Sequence, residues 1–360
     1  MVLIFFNLKY LDLSQIYSNF VANLKLIINM EEKYLRYNRD LVNRFINDYK
    51  LPIVMNSVKY FFYFLELYEN EFQSLTKWKK LWDMIDNRFN GNENDFLKYF
   101  YDVREKVITD TANSESYQKF NTMDMNKFKV IDKPNVSSNN IYNGGNIGKG
   151  FLSIDLKKAN FQALKYVDSN IVLNSDTYEG FIGKFTDLGY IKESKYFRQV
   201  IFGQMNPKRH ITVEKYLINQ VCKIYKEVYN WGKIVSMSND EIVIEMDLRQ
   251  LSYSKDQIRK LTDDIEYIIK VGLGLLVRVE YFTLDGFQMY SKDTVNPKTT
   301  FYVKTNLATL ERKLMCVPAP YYALIYKLLN NIPLEEYDYH FIYEGIDCKF
   351  MDEFDLRKIK

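Results

Sequence analysis

Three acidic residues stand where a divalent cation could use them: Asp155, Asp240 and Glu241. The last two sit in the polar corner Ser238-Asn239-Asp240-Glu241, between the apolar-alternating runs Ile234 to Met237 and Ile242 to Met246. That pattern predicts a β-hairpin with adjacent carboxylates at its tip. Asn-Asp corners also form for local hydrogen-bonding reasons alone, so these acids need a partner elsewhere before they imply chemistry. Asp155 supplies one. The run Gly150-Phe-Leu-Ser-Ile-Asp155 reads as a short strand ending on an acid, with helical spacing behind it from Leu156 to Val167. Carboxylates on the ends of neighbouring strands can face one pocket and hold hard cations there. Two such ions, about 3.5–4 Å apart, can stabilise the attacking and leaving oxygens of a phosphoryl or nucleotidyl transfer. Lys157 and Lys158, next to Asp155, suit phosphate and suit a helix's polar face equally well.

The elements that must position these acids follow from periodicity. Residues 1 to about 128 read as helical, with segments Glu31 to Tyr49, Asn56 to Tyr68, Leu75 to Arg88 and Asn94 to Val107. The turn-rich stretch Lys133 to Gly145 reads as a linker or surface loop. Gly144 to Gly150 has the wrong spacing for a phosphate loop and leads into a strand. Helices are predicted over Tyr178 to Leu188, Glu193 to Phe202 and Thr212 to Tyr229, with Pro207-Lys208-Arg209-His210 as an interrupting loop. Ser254 caps a helix to Lys270, and strands follow over Leu275 to Leu284, Phe287 to Tyr290 and Thr300 to Thr305. Asp285-Gly286 between the first two reads as a hairpin turn. Cys316 to Leu329 is mostly helical after its prolines, and Tyr337 to Phe350 holds one or two short strands.

The order strand–Asp155–helix, then helices, then a hairpin carrying Asp240 and Glu241, is that of a polymerase palm. These residues resemble the DNA polymerase I-like (family A) enzymes. Ser238-Asn-Asp-Glu-Ile-Val-Ile-Glu245 is similar to that family's third palm motif, with Asn239 where the family has histidine. Ser153-Ile-Asp155 is similar to the first motif, and Asn160 falls where the family has a sugar-discriminating glutamate. Arg198-Gln-Val-Ile-Phe202-Gly203 has the spacing of the fingers helix, with arginine for lysine and Asn206 in place of a tyrosine. The resemblance implies that Arg198 clamps a triphosphate and that Phe202 stacks on the nucleotide. It also implies that the helix containing Asn219 and Gln220 lies along primer-template. Phe202 and Asp240 are 38 residues apart (240 − 202), a shorter interval than the family has. Lys208 and Arg209 are further candidates for phosphate contact.

Length and composition bound the rest. A chain of 360 residues with 47% hydrophobic residues can bury a large core, so it is folded and not a disordered tail. Its net charge of +3 is too small to argue for nucleic acid by itself. Cys222, Cys316 and Cys348 lack paired spacing, and His210 and His340 cannot build a histidine metal site. Reduced thiols fit the cytoplasm or another reducing intracellular compartment. Val2 to Phe6 lacks the features of a signal peptide, and Leu51 to Leu67 is interrupted by Asn56, Lys59 and Glu66, so no membrane span is expected. No Lys-x-Asp-Gly motif is present, which disfavours ligase chemistry.

The expectation is therefore an α+β protein: a helical N-terminal region (1–131), a loop (132–150), a palm- and fingers-like region (151–250) and an α+β, strand-rich C-terminal region (251–360). Its expected activity is template-dependent nucleotidyl transfer. Asp155 and Asp240 hold Mg2+ (or Mn2+), Glu241 supports them, and Arg198, Phe202, Asn160 and Lys158 bind substrate. Partners are nucleic acid and nucleoside triphosphates, with no membrane. The competing expectations are a non-catalytic nucleic-acid-binding or assembly subunit with a palm-like fold, and an unrelated enzyme for a small phosphorylated substrate.

Overall fold

A computed structural model of the chain describes residues 31–53, 57–130, 134–137, 141–229, 231–247, 253–292 and 294–359. Val2 to Phe6, the helical expectation for 1–30, Asn56 and parts of the 132–150 loop lie outside the described residues. The chain divides into two compact units, one up to Phe100 and one from Tyr101. The fold is α+β, with helices leading and, in the second unit, a seven-stranded antiparallel sheet and a separate two-stranded one.

The first unit is helical: α1 (Arg39–Tyr49), α2 (Val58–Leu67), α3 (Glu69–Phe72), α4 (Ser74–Phe89) and α5 (Glu93–Ala112), the last crossing the division. Asn38 and Ser57 cap α1 and α2 by accepting backbone N–H groups. The core forms around Trp78, whose ring lies 5.1 Å from Phe45, 4.8 Å from Phe61 and 5.8 Å from Trp82. The Trp78 indole N–H donates to the Tyr34 carbonyl at 2.9 Å, so its burial leaves no polar group unsatisfied.

The second unit opens with α6 (Glu115–Thr122) and is organised by β1 (Gly150–Leu156). α7 (Ala159–Val167), α8 (Tyr178–Ile182), α9 (Gly189–Glu193), α10 (Lys195–Gln204) and α11 (Pro207–Val228) follow. Next come β2 (Lys233–Met237), β3 (Glu241–Glu245), α12 (Lys255–Leu273), β4 (Val277–Ser291), β5 (Thr299–Asn306) and β6 (Arg312–Met315). α13 (Tyr322–Leu329), the two-stranded pair β7 (His340–Tyr343) and β8 (Ile346–Lys349), and β9 (Phe354–Lys358) complete the unit. The main sheet has the order β2-β3-β1-β4-β5-β6, and β9 also pairs with β4. β1 is thus central, with Asp155 opposite Glu241 on β3 and Arg278 on β4. α12 packs on β4, and α11 packs on α7, α12 and β3. Near the other end of β1, Phe151, Val243 and Phe282 cluster with Ile141.

Three sequence expectations change here. Asp285-Gly286 is not a hairpin turn but the interior of the fifteen-residue β4, opposite Val303 and Tyr302. A Cβ on Gly286 would press on the ends of the Ile147 and Ile359 side chains, so the glycine suits their close approach. Pro207 does not interrupt a helix; it occupies the first position of α11, where its missing N–H costs nothing. The expected helix Tyr178 to Leu188 ends at Ile182, and the next expected helix splits at Ser194, which caps α10 by accepting from the Phe197 N–H. The Ser254 cap is present, as a capping box with Gln257. Among the described residues no helix is long and apolar enough to cross a membrane.

Candidate active site

β1 carries Asp155 to the end of the sheet because its apolar residues are buried on both flanks. Beyond Asp155 the chain is tied twice: the Leu156 N–H donates to the Asp240 carbonyl at 2.8 Å, and the Lys157 N–H to the Leu276 carbonyl at 2.9 Å. Lys158 then turns into α7 with φ +56°, a left-handed backbone that costs a lysine about 1 kcal/mol. The turn holding Asp240 is fixed by Ser238. Its Oγ accepts from the N–H of Asp240 at 3.2 Å and of Glu241 at 2.9 Å, and donates to Asp240 Oδ1 at 2.8 Å. A hydroxyl has one donor and two acceptor positions, and Ser238 uses all three.

Asp155 and Asp240 line one cleft of about 700 Å³, within the usual range for small-molecule sites. Glu214 of α11 and Glu179 of α8 are further acids on its wall, and Lys157, Lys158, Lys195, Arg198 and Arg278 are its bases. Burial pushes the Asp155 carboxyl up to about 6; Arg278, 3.4 Å away, opposes this, while Glu241, Asp240 and Glu280 reinforce it. Burial, then the Asp240 charge, pushes Glu214 up to about 7, against a hydrogen bond donated by the Asn160 amide. On the basic side, burial and the Arg198 charge lower Lys158 to about 8, although Glu193 opposes. Burial also lowers Arg198. Burial thus disfavours the charged forms of Asp155, Glu214, Lys158 and Arg198, although Asp155 pairs with Arg278 and Lys158 with Glu179. A cation would favour the ionised acids, and an oxyanion the charged bases.

Carboxylate oxygens suit a hard cation such as Mg2+ or Mn2+. Among the described residues no group of three or more His, Cys, Asp or Glu is arranged to hold a metal ion. Two carboxylates completed by substrate phosphates and water are nevertheless how Mg2+ is commonly held, and Asp155 and Asp240 fit that donor set.

The predicted residues are sorted by this geometry. Asp155, Asp240, Lys158, Asn160 and Arg198 come together in the cleft. Glu241 does not line it; its carboxylate accepts from Ser153 Oγ on the neighbouring strand. Phe202 is 2% exposed, with its ring 6.2 Å from Tyr178 and 6.0 Å from His210, so it is core and not a stacking platform. Phe161 and Tyr178 border the cleft but are buried as well; the centre of the Tyr178 ring lies 5.2 Å from Lys158 Nζ and 5.7 Å from the Arg198 guanidinium. Lys158 also pairs with Glu179. Arg209 is tied to the Met123 carbonyl and lies over Phe120, whereas Lys208 is exposed on the first turn of α11. Asn219 is buried in α11, so a duplex cannot reach it; Gln220 is half-buried, and neither lines the cleft.

Sequence reasoning missed Glu214, Lys195, Tyr178, Arg278 and Ser238. Glu214 had a signal: it falls within the buried stripe His210, Leu217, Val221 of an amphipathic helix, where an acid is out of place. Arg278 had none, because only the β1–β4 register brings it to Asp155. No protein-family model matches the sequence, and searches of curated proteins and of solved structures found no match to the chain.

Proposed function

We propose that this chain is a template-dependent nucleotidyltransferase, a DNA or RNA polymerase, working with Mg2+ or Mn2+ held by Asp155 and Asp240. The observation that carries the reading is the shared cleft: two carboxylates from adjacent strand ends face Lys158, Lys195 and Arg198 across one space. A nucleoside triphosphate needs that polarity. Its phosphates are oriented by the lysines and the arginine. A divalent ion, when bound, supplies charge neutralisation at the reacting phosphorus. Ser238 keeps the Asp240 carboxylate in place, and Asn160, held by Glu214, borders the same space. The primer's 3′-hydroxyl is the nucleophile: it bonds to the α-phosphorus as the bond to the β-phosphate breaks and pyrophosphate leaves, so no protein nucleophile is required.

Extension of a labelled primer-template with all nucleotides and Mg2+ or Mn2+ tests this. Wild type should extend the primer, and Asp155→Asn and Asp240→Asn should each lose at least about 10³-fold in rate, as removal of groups that stabilise transition-state charge does. Tight duplex binding without extension, untouched by either substitution, would favour the non-catalytic subunit instead.

A further inference from the structure

We propose that the face of α11 bearing Lys208, Thr212 and Lys215, together with the Lys127–Val130 segment, binds single-stranded nucleic acid. The surface lies outside the cleft lining. Lys208, Thr212 and Lys215 are spaced i, i+4 and i+7 and so share one face of α11. Thr212, Lys215, Lys129 and Phe128 line a groove of about 270 Å³, with Met237 and Ser238 on its wall.

Charge selects an anionic occupant. Lys127, Lys129, Lys208 and Lys215 are all exposed, and none makes an ion pair among the described residues. Nearby lysines behave otherwise: Lys119 pairs with Glu115 at 2.6 Å and Lys165 with Asp176 at 3.1 Å. Four unpaired lysines beside one groove repel each other until an anion arrives.

Rings select a base-bearing anion. Phe128, at the groove but buried, lies 5.4 Å from half-buried Tyr216, and Tyr216 lies 6.1 Å from Tyr166. Tyr166 is 44% exposed, so this aromatic series ends in an open face. Unpaired bases stack on such faces with little regard to sequence, while lysines follow the backbone; in a duplex those base faces are occupied. An acidic peptide would use the lysines but not the open Tyr166 face.

The groove also leads somewhere. Ser238 lines it and holds Asp240 of the cleft. A strand seated here has its end delivered to the carboxylates. The inference rests on the nucleotidyl-transfer reading for that direction only, and not for binding.

Fluorescence anisotropy with labelled oligothymidylate and oligouridylate of about 12 nucleotides, over a salt series, tests the surface. The proteins are the full chain, Lys129→Glu/Lys215→Glu, Tyr166→Ala, Tyr166→Trp and, as a charge control, Lys260→Glu on α12. Each phosphate contact contributes about 0.7 to the logarithmic salt slope for a single strand, so the double variant should flatten it by about 1.4. Tyr166→Ala should weaken binding about tenfold at fixed salt, and Tyr166→Trp should restore it. Lys260→Glu should match wild type. Equal affinity across all variants, preference for duplex, or preference for anionic lipid vesicles would overturn the proposal. Binding lost in the groove variants while Asp155→Asn binds normally supports it, and does so even if no protein extends a primer.

Discussion

Asp155 and Glu214 are acids held against burial, and that has a consequence for stability. Their ordinary values of 3.8 and 4.5 rise to about 6 and about 7 in the folded chain. Between about pH 4 and 7 the folded state therefore holds more protons than the unfolded chain, so stability contributed by these groups falls as pH rises. Below that window both states are protonated and the contribution is intact; above it the loss is complete. Asp155→Asn and Glu214→Gln should thus each be about 1 kcal/mol more stable than wild type at pH 8, with the gap closing towards pH 4. Urea denaturation at the two pH values reads this directly; a gap that does not change with pH would refute the burial account. Metal loading and activity should rise over the same window, because only the ionised carboxylates bind a cation. Ser238 is a positioning residue by the same logic. Ser238→Ala should lower the extension rate about 10- to 100-fold through a displaced Asp240. The stability loss should stay near 1 kcal/mol, and Ser238→Thr should recover most of the rate. Equal losses in the Thr and Ala variants would remove Ser238 from that role. Asp155 and Asp240 were legible from sequence because each sits at the end of an alternating run. Phe202 misled, since an aromatic at helical spacing looks the same whether it faces a cleft or the Tyr178–His210 core.

Elements were legible where local signals and tertiary context agree. β1, the β2–β3 hairpin and the helix after Ser254 follow from alternation, corner residues and a cap. β4 did not, because Asp285-Gly286 carries the chemistry of a tight turn, whereas the space beside it is filled by Ile147. There the glycine serves close approach and not chain reversal. Gly286→Ala should cost about 1–3 kcal/mol by overpacking, measured as a lowered urea midpoint with unchanged slope. A neutral result would mean that Ile147 relaxes freely. β6 and β9 escaped notice because Arg312–Met315 and Phe354–Lys358 are short, charged strands whose pairing with β5 and β4 is decided by the sheet.

At the scale of the molecule, the site is made by pairings far apart in sequence. Ser153 meets Glu241 across 88 residues, and Arg278 meets Asp155 across 123. The expected boundary at residue 250 separates β1 and β3 from β4, yet one antiparallel sheet contains all three. Periodicity reports what each segment does and says nothing of which strands become neighbours. That is why Asp155 and Asp240 could be read from their own segments, while Arg278, which only the β1–β4 register brings to Asp155, could not.

The central claim is that the cleft joins nucleotides as a template dictates. Single-nucleotide incorporation tests it most directly: four primed templates differing only in the next base, each offered the four nucleotides separately with Mg2+ or Mn2+. The account predicts that the complementary nucleotide is added on each template, and that Asp155→Asn and Asp240→Asn abolish addition on all four. Addition that ignores the template base, or that survives both substitutions, would contradict it.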